Sequence, residues 1–174
     1  DEEGNAHVLT KDATVRASTT AEILATLKPA FKEDGRITAG NASGIVDGSA
    51  AVLLASEDAI KRHNLTPKAE IITSAIIGSE PKIMLTGPIE ASKQALKKAG
   101  IKSIDIDLWE INEAFAPVPL ATIKELELDE SKVNVNGGGI SLGHPLGATG
   151  AMLVGTAVDE LHRTGGTYAL VTMC

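Results

Sequence analysis

The chain has 174 residues, 43% of them hydrophobic, which suffices for one domain with a sizeable core. A formal net charge of −7 with no basic tail or stripe argues against a nucleic-acid partner, although a local cluster could still serve a phosphorylated small ligand. The apolar runs are too short to cross a bilayer, and the single cysteine, Cys174, excludes an internal disulfide and makes a reducing compartment the simplest reading.

Aromatic residues make up 2% of the chain, so the core is expected to be aliphatic. The Asp1-Glu-Glu3 start shows no basic segment followed by an apolar one, so no secretory signal is expected within the residues given, which says nothing of one already removed. Residues 1–48 read as loop-rich, with one helix over 20–31 capped by Thr19 or Thr20. From residue 49 the pattern alternates. Residues 50–54 read as a buried strand, and Ser56 caps a helix to His63 with Glu57 and Asp58 in its first turn. Residues 69–78 read as a second strand. Pro88 opens a helix that Gly100 closes. A third strand is predicted over 104–111, a helix over 113–126, a short strand over 133–136, a helix over 148–163 and a last strand over 167–174. This alternation predicts an α/β layered fold with helices on the faces of a sheet. The polar start and the strand that stops at Cys174 make both ends look cut, as in a piece of a larger protein.

Residues 134–150 hold six glycines and, near their middle, His144. A glycine-dense loop that opens a helix can bring bare N–H groups up to a ligand. A histidine in such a loop can exchange protons near neutral pH. The bland alternatives are turn glycines and a histidine bonded into the loop before Pro145. A phosphate cradle is disfavoured, because the loop has no Lys or Arg and no P-loop pattern. Asn112 and Glu113 fall where a strand yields to a helix, the end at which functional groups cluster; Asn112 reads either as an N-cap or as such a functional group. Cys174 reads as a small buried hydrophobe or as a reactive thiol at such an end. His7, His63 and His162 read as surface residues. No metal-ligand spacing recurs, so no metal is expected.

Taken together, Asn112-Glu-Ala-Phe115, Gly143-His-Pro-Leu-Gly-Ala-Thr-Gly150 and the strand-terminal Cys174, in that order, carry a resemblance. So do Thr38-Ala-Gly-Asn-Ala-Ser-Gly44 and Pro81-Lys-Ile-Met-Leu-Thr-Gly-Pro88. The chain resembles the C-terminal part of the thiolases, the family of acetyl-CoA C-acetyltransferase and 3-ketoacyl-CoA thiolase. The resemblance implies a thiolase-like αβα fold, the C-terminal half having a mixed sheet flanked by helices. Residues 1–45 would end the loop domain that covers CoA, and residues 46–174 would form most of the C-terminal domain. It implies an acyltransferase that cleaves 3-ketoacyl-CoA with CoA, or condenses two acyl-CoA molecules in reverse, with coenzyme A as substrate and no cofactor.

The same resemblance implies the site residues. His144 would activate a nucleophilic cysteine and donate to an oxyanion hole, which a water held by Asn112 would complete. Cys174 would move the proton on the α-carbon of acetyl-CoA or on the incoming thiol. Ser43 would touch the pantetheine arm, Met84 and Phe115 would line the acyl pocket, and Arg16 and Phe31 would meet the nucleotide end of CoA. The nucleophilic cysteine belongs to an N-terminal half that this sequence does not include, so this chain alone is expected to be inactive. Full-length relatives would be homodimers or homotetramers of the cytoplasm, or of mitochondria or peroxisomes in a eukaryote, without membrane or nucleic-acid partners. The alternative is a non-catalytic thiolase-like module that binds CoA or serves structure; the intact trio of Asn112, His144 and Cys174 speaks against it. A ketoacyl synthase would pair two histidines with one cysteine.

Overall fold

The structure is a computed structural model that describes residues 4, 6, 8, 10–12 and 14–174. The elements in chain order are α1 (Ala21–Ala25), α2 (Glu57–His63), α3 (Gly87–Ala99), β1 (Leu108–Ile111), α4 (Pro117–Leu126), α5 (Gly139–Leu142), α6 (Thr149–Thr164) and β2 (Ala169–Thr172). Strands β1 and β2 are parallel and in register from Leu108 opposite Ala169 to Ile111 opposite Thr172. A parallel bridge adds Val133 on the far side of Trp109.

Alternation along β1 sets the layers. Trp109 and Ile111, with Ile106, form the buried cluster against Leu96 of α3, Leu126 of α4, Tyr168 and Leu170. Leu108, Glu110 and Asn112 take the opposite face, where α6 packs along both strands. All four residues of β1 are buried, as a strand covered by helices on both faces requires.

The helices with local stop and start signals form where the sequence places them. The Ser56 hydroxyl accepts from the Ala59 amide, and Asn64 closes α2 in the left-handed conformation. Gly100 and Gly165 close α3 and α6 at φ 69° and 73°. Two helices are shorter than predicted. The helix expected over 20–31 is the single α1, which Thr26 ends; beyond it the chain turns so that Pro29 can bridge Thr38. The helix expected from residue 113 begins at Pro117, because residues 113–116 form a loop in which Phe115 bridges Ala42.

The strand expectations need correction. Among the described residues, 50–54 and 69–78 take no strand partner, and residues 133–136 contribute only the Val133 bridge. Leu53 is 80% exposed and Ile76 94%. A cleft of about 1180 Å³ separates residues 68–77 from the open edge of β2, between α3 and α6. An apolar, β-branched run becomes a strand only when a neighbour accepts its N–H groups, and that neighbour is a tertiary matter. The strand expected over 104–111 starts at Leu108, since residues 103–105 make a 3-10 turn.

Candidate active site

The site forms at the carboxyl end of the two strands, the position that open α/β folds favour. Asn112 directly follows β1, and its N–H donates to the Thr172 carbonyl at 3.0 Å. Its side chain is buried, 2% exposed. Ala116, not Asn112, caps α4, which removes the N-cap reading. The Nδ2 atom of Asn112 lies 3.4 Å from Nε2 of His144, across 32 residues of sequence.

His144 is buried beside the N-terminus of α6. Its Nδ1 lies 2.7 Å from Oγ1 of Thr149, and that hydroxyl donates its own proton to the Pro145 carbonyl at 3.0 Å. With that proton committed to Pro145, the hydroxyl is left to accept from Nδ1–H, the tautomer that satisfies both contacts. Nε2 then carries the lone pair and accepts from Asn112. The buried Oδ1 of Asn112 has no partner, so the side chain retains an acceptor for a water or a substrate donor.

The loop is held from outside as well. The His144 N–H donates to the Gly44 carbonyl at 2.9 Å. Gly143 sits at φ 94°, and a Cβ there would come within 2.6 Å of Val46. A Cβ on Gly48 would come within 2.7 Å of Pro145. Residues 44–48 thus brace the histidine from the opposite side.

The remaining expected site residues gather unevenly. Cys174 is exposed, two residues past β2 at the same sheet end as Asn112, and its Sγ lies 3.5 Å from where a Gly87 Cβ would stand. Met84 belongs to the turn before that glycine and is 56% exposed; it and Leu85 hold left-handed angles of 59° and 55°. Two such residues in succession store strain, of order 1–3 kcal/mol each, in the turn that leads to Gly87. Phe115 stacks edge-on against Phe31 at 5.8 Å. Ser43 is bonded to Ala114 through both its amide and its hydroxyl. Arg16 is exposed, and no side-chain partner is recorded for it among the described residues. His63 and His162 are exposed, the latter bonded to the Lys68 carbonyl; His7 lies outside the described residues.

Sequence reasoning placed Glu113 beside Asn112 at the strand–helix junction without a role, and did not single out Thr149, Asn134 or Glu110. Thr149 stood inside a quoted motif, which was the available signal. Glu110 is wholly buried on the face of Asn112, with neither oxygen bonded. Burial first, then the neighbouring charges of Glu113 and Glu160, push its carboxyl up to about 7. Glu160 goes the other way, to about 2, because Arg163 and Asn136 donate to it.

Comparison with known proteins gives the family and the fold. The model of the "Thiolase, C-terminal domain" matches residues 65–174, and that of the "Thiolase, N-terminal domain" matches residues 1–58. The chain belongs to the thiolase family. It is similar to the mitochondrial 3-ketoacyl-CoA thiolase of Pongo abelii, with 54% identity over 94% of this chain and 41% of that protein. It is also similar to solved structures. One is human mitochondrial 3-ketoacyl-CoA thiolase in complex with CoA, at TM-score 0.83 and 49% identity over 91% of this chain and 40% of that one. Another is Bacillus anthracis acetyl-CoA acetyltransferase, at TM-score 0.89 and 50% identity over 94% of this chain and 42% of that one. These neighbours establish the α/β thiolase fold. The chain spans about two fifths of the length of the curated thiolase it matches.

Proposed function

We propose that this chain supplies part of the active site of an acyl-CoA C-acyltransferase, a thiolase that cleaves 3-ketoacyl-CoA with CoA or runs the reverse Claisen condensation. The observation that carries the proposal is the buried pair of Asn112 and His144, with the ring tautomer held by Thr149. The solved neighbour with bound CoA supports coenzyme A as a substrate here.

In the cleavage direction, a cysteine thiolate from the N-terminal half attacks the 3-keto carbonyl. Nε2 of His144, as a neutral acceptor, takes the thiol proton that frees this thiolate. The C2–C3 bond then breaks, leaving an acyl-enzyme and the enolate of acetyl-CoA. Cys174 gives the enolate its proton, and as a thiolate takes one back from the incoming CoA thiol. Negative charge collects on oxygen in both halves. A water on Asn112 and the protonated Nε2 form one set of preorganised donors, and a single such donor is worth about 3–4 kcal/mol. The chemistry these side chains offer is proton transfer and hydrogen-bond donation to oxygen that gains negative charge.

Several finer assignments belong to the same reading. Ser43, Met84, Phe115, Phe31 and Arg16 are the CoA and acyl contacts. Residues 1–45 close the CoA-covering loop domain and residues 46–174 the C-terminal domain. The full-length protein is a homodimer or homotetramer, mitochondrial in a eukaryote as the Pongo abelii relative is named.

The test is His144→Ala in the full-length protein that contains this chain. Thiolysis of acetoacetyl-CoA should fall by at least about 1000-fold, the scale of losing a base and a donor together, with the circular dichroism spectrum kept. Unchanged turnover would make His144 structural and would return the reading to a non-catalytic module.

A further inference from the structure

Glu113 follows Asn112 directly, yet its side chain turns away from the histidine. Oε1 accepts from Nδ2 of Asn134 at 2.8 Å, and Oε2 accepts from the Ile140 N–H at 3.1 Å. Both partners lie on the segment that leads through α5 into His144. Asn134 is itself gripped by β1: the Ile111 N–H donates to its Oδ1 at 2.8 Å, and its Nδ2 donates to the Ile111 carbonyl at 2.8 Å. It holds the left-handed angle of 47° that Asn tolerates better than most residues.

Gly138 supplies an independent observation. Its backbone is extended, φ −147°, a conformation any residue adopts. A Cβ there would nonetheless stand 2.3 Å from Cδ of Glu113 and 2.5 and 2.6 Å from its two oxygens. A side chain at this position would displace the Glu113 carboxylate from its present place, so the glycine here answers to that approach and not to a turn. Gly139 next to it leaves 3.3 Å to the Glu113 carbonyl, so the loop is seated on this residue through two successive glycines.

We propose that Glu113 is a positioning residue, whose carboxylate seats the glycine loop and thereby sets His144 against Asn112. The role in catalysis rests on the function proposed above; the positioning itself rests on the contacts alone. The 3.4 Å separation of Nε2 from Asn112 spans two segments 32 residues apart. Glu113, together with the Asn134 side chain it accepts from, ties the first segment to the second, and of the two Glu113 alone reaches the first turn of α5. A displacement of about 1 Å at such a pair is enough to cost on the order of 100-fold in rate.

The experiment uses the full-length protein with Glu113→Gln, Glu113→Ala, Gly138→Ala and the double variant Glu113→Ala/Gly138→Ala. Gln keeps the size but turns one acceptor into a donor. Two readouts are followed: kcat and KM for acetoacetyl-CoA, and the ring signals of His144 in histidine-labelled protein, assigned with His144→Ala. Glu113→Gln should lower kcat by about 10- to 100-fold with KM within about threefold, and should move the His144 ring signals. Gly138→Ala should reproduce both effects in the parent and add little in the Glu113→Ala background, because the clash has gone. If Glu113→Gln does not fold, Gly138→Ala carries the same readouts. Ring signals that stay in place in the folded variants overturn the proposal, as does a kcat within about twofold of the parent. A parent protein without acyl transfer sinks the proposed function instead, and the ring signals still decide whether Glu113 positions the histidine.

Discussion

Thr149 decides which nitrogen of His144 carries the proton, because its hydroxyl can only accept from Nδ1 once it has donated to Pro145. Thr149→Val should therefore lower turnover of the full-length protein by about tenfold or more, on the scale of losing a partner that orients a functional histidine. Thr149→Ser, which keeps the hydroxyl, should restore most of it; equal rates for Val and Ser would remove Thr149 from the mechanism. Glu110 gives a second test at this scale. Its folded pKa, about 7, stands above the ordinary carboxyl value of 4.5. Below pH 4.5 both folded and unfolded states hold the proton, and this contribution to stability is full. Between 4.5 and 7 the unfolded chain releases it while the folded chain keeps it, so stability falls as pH rises, by at most about 1.4 kcal/mol per unit. Above 7 the loss is complete. Asp107 and Glu160, whose values are lowered, titrate below this window and do not mask it. Urea unfolding at pH 5 and pH 8 should show Glu110→Gln gaining stability on the parent at the higher pH; a constant difference would mean that Glu110 is not protonated when folded.

Among the elements, the helices owe their bounds to their caps. Gly165 ends α6 at φ 73°, and a Cβ there would meet nothing within 4 Å. Gly165→Ala should therefore cost only the left-handed penalty, about 1 kcal/mol, and lower the melting temperature by a few degrees without altering the site. Gly138→Ala is its mirror case, free in backbone angle and blocked by a side chain. The two glycines look alike in sequence and act for different reasons. Helices α2, α3 and α6 were legible because Ser56, Pro88, Gly100 and Gly165 act within one turn of the backbone they cap. The runs at 50–54 and 69–78 show the opposite. Their residues carry strand propensity, but nothing local says which edge will accept their hydrogen bonds.

Across the whole molecule, these two runs leave apolar surface in contact with solvent. Leu53, Leu54, Ile71 and Ile76 are each at least 65% exposed, and patches of this kind drive association. This chain by itself should self-associate in a concentration-dependent way in sedimentation velocity. Leu53→Lys with Ile76→Lys should shift it toward monomer, while its helical circular dichroism stays as it was. Sedimentation that does not respond to the pair would place the associating surface elsewhere.

The sequence by itself determined the family, the α/β class, the bounds of α2, α3 and α6, and Asn112, His144 and Cys174 as the residues to watch. Those properties are local, or repeat in fixed order along the chain, so that spacing and residue type suffice to reveal them. Only the tertiary structure decided that Asn112 meets His144 instead of capping α4. It also decided which nitrogen of His144 faces Thr149, how closely the Glu113 carboxylate approaches Gly138, and that Glu110 is buried with no hydrogen-bond partner among the described residues. Each of these depends on atoms brought together across 5 to 32 residues by the packing of β1 beside β2 and of α6 on their shared face. Such contacts leave no local pattern, because a hydrogen bond constrains two groups in space and not the number of residues between them.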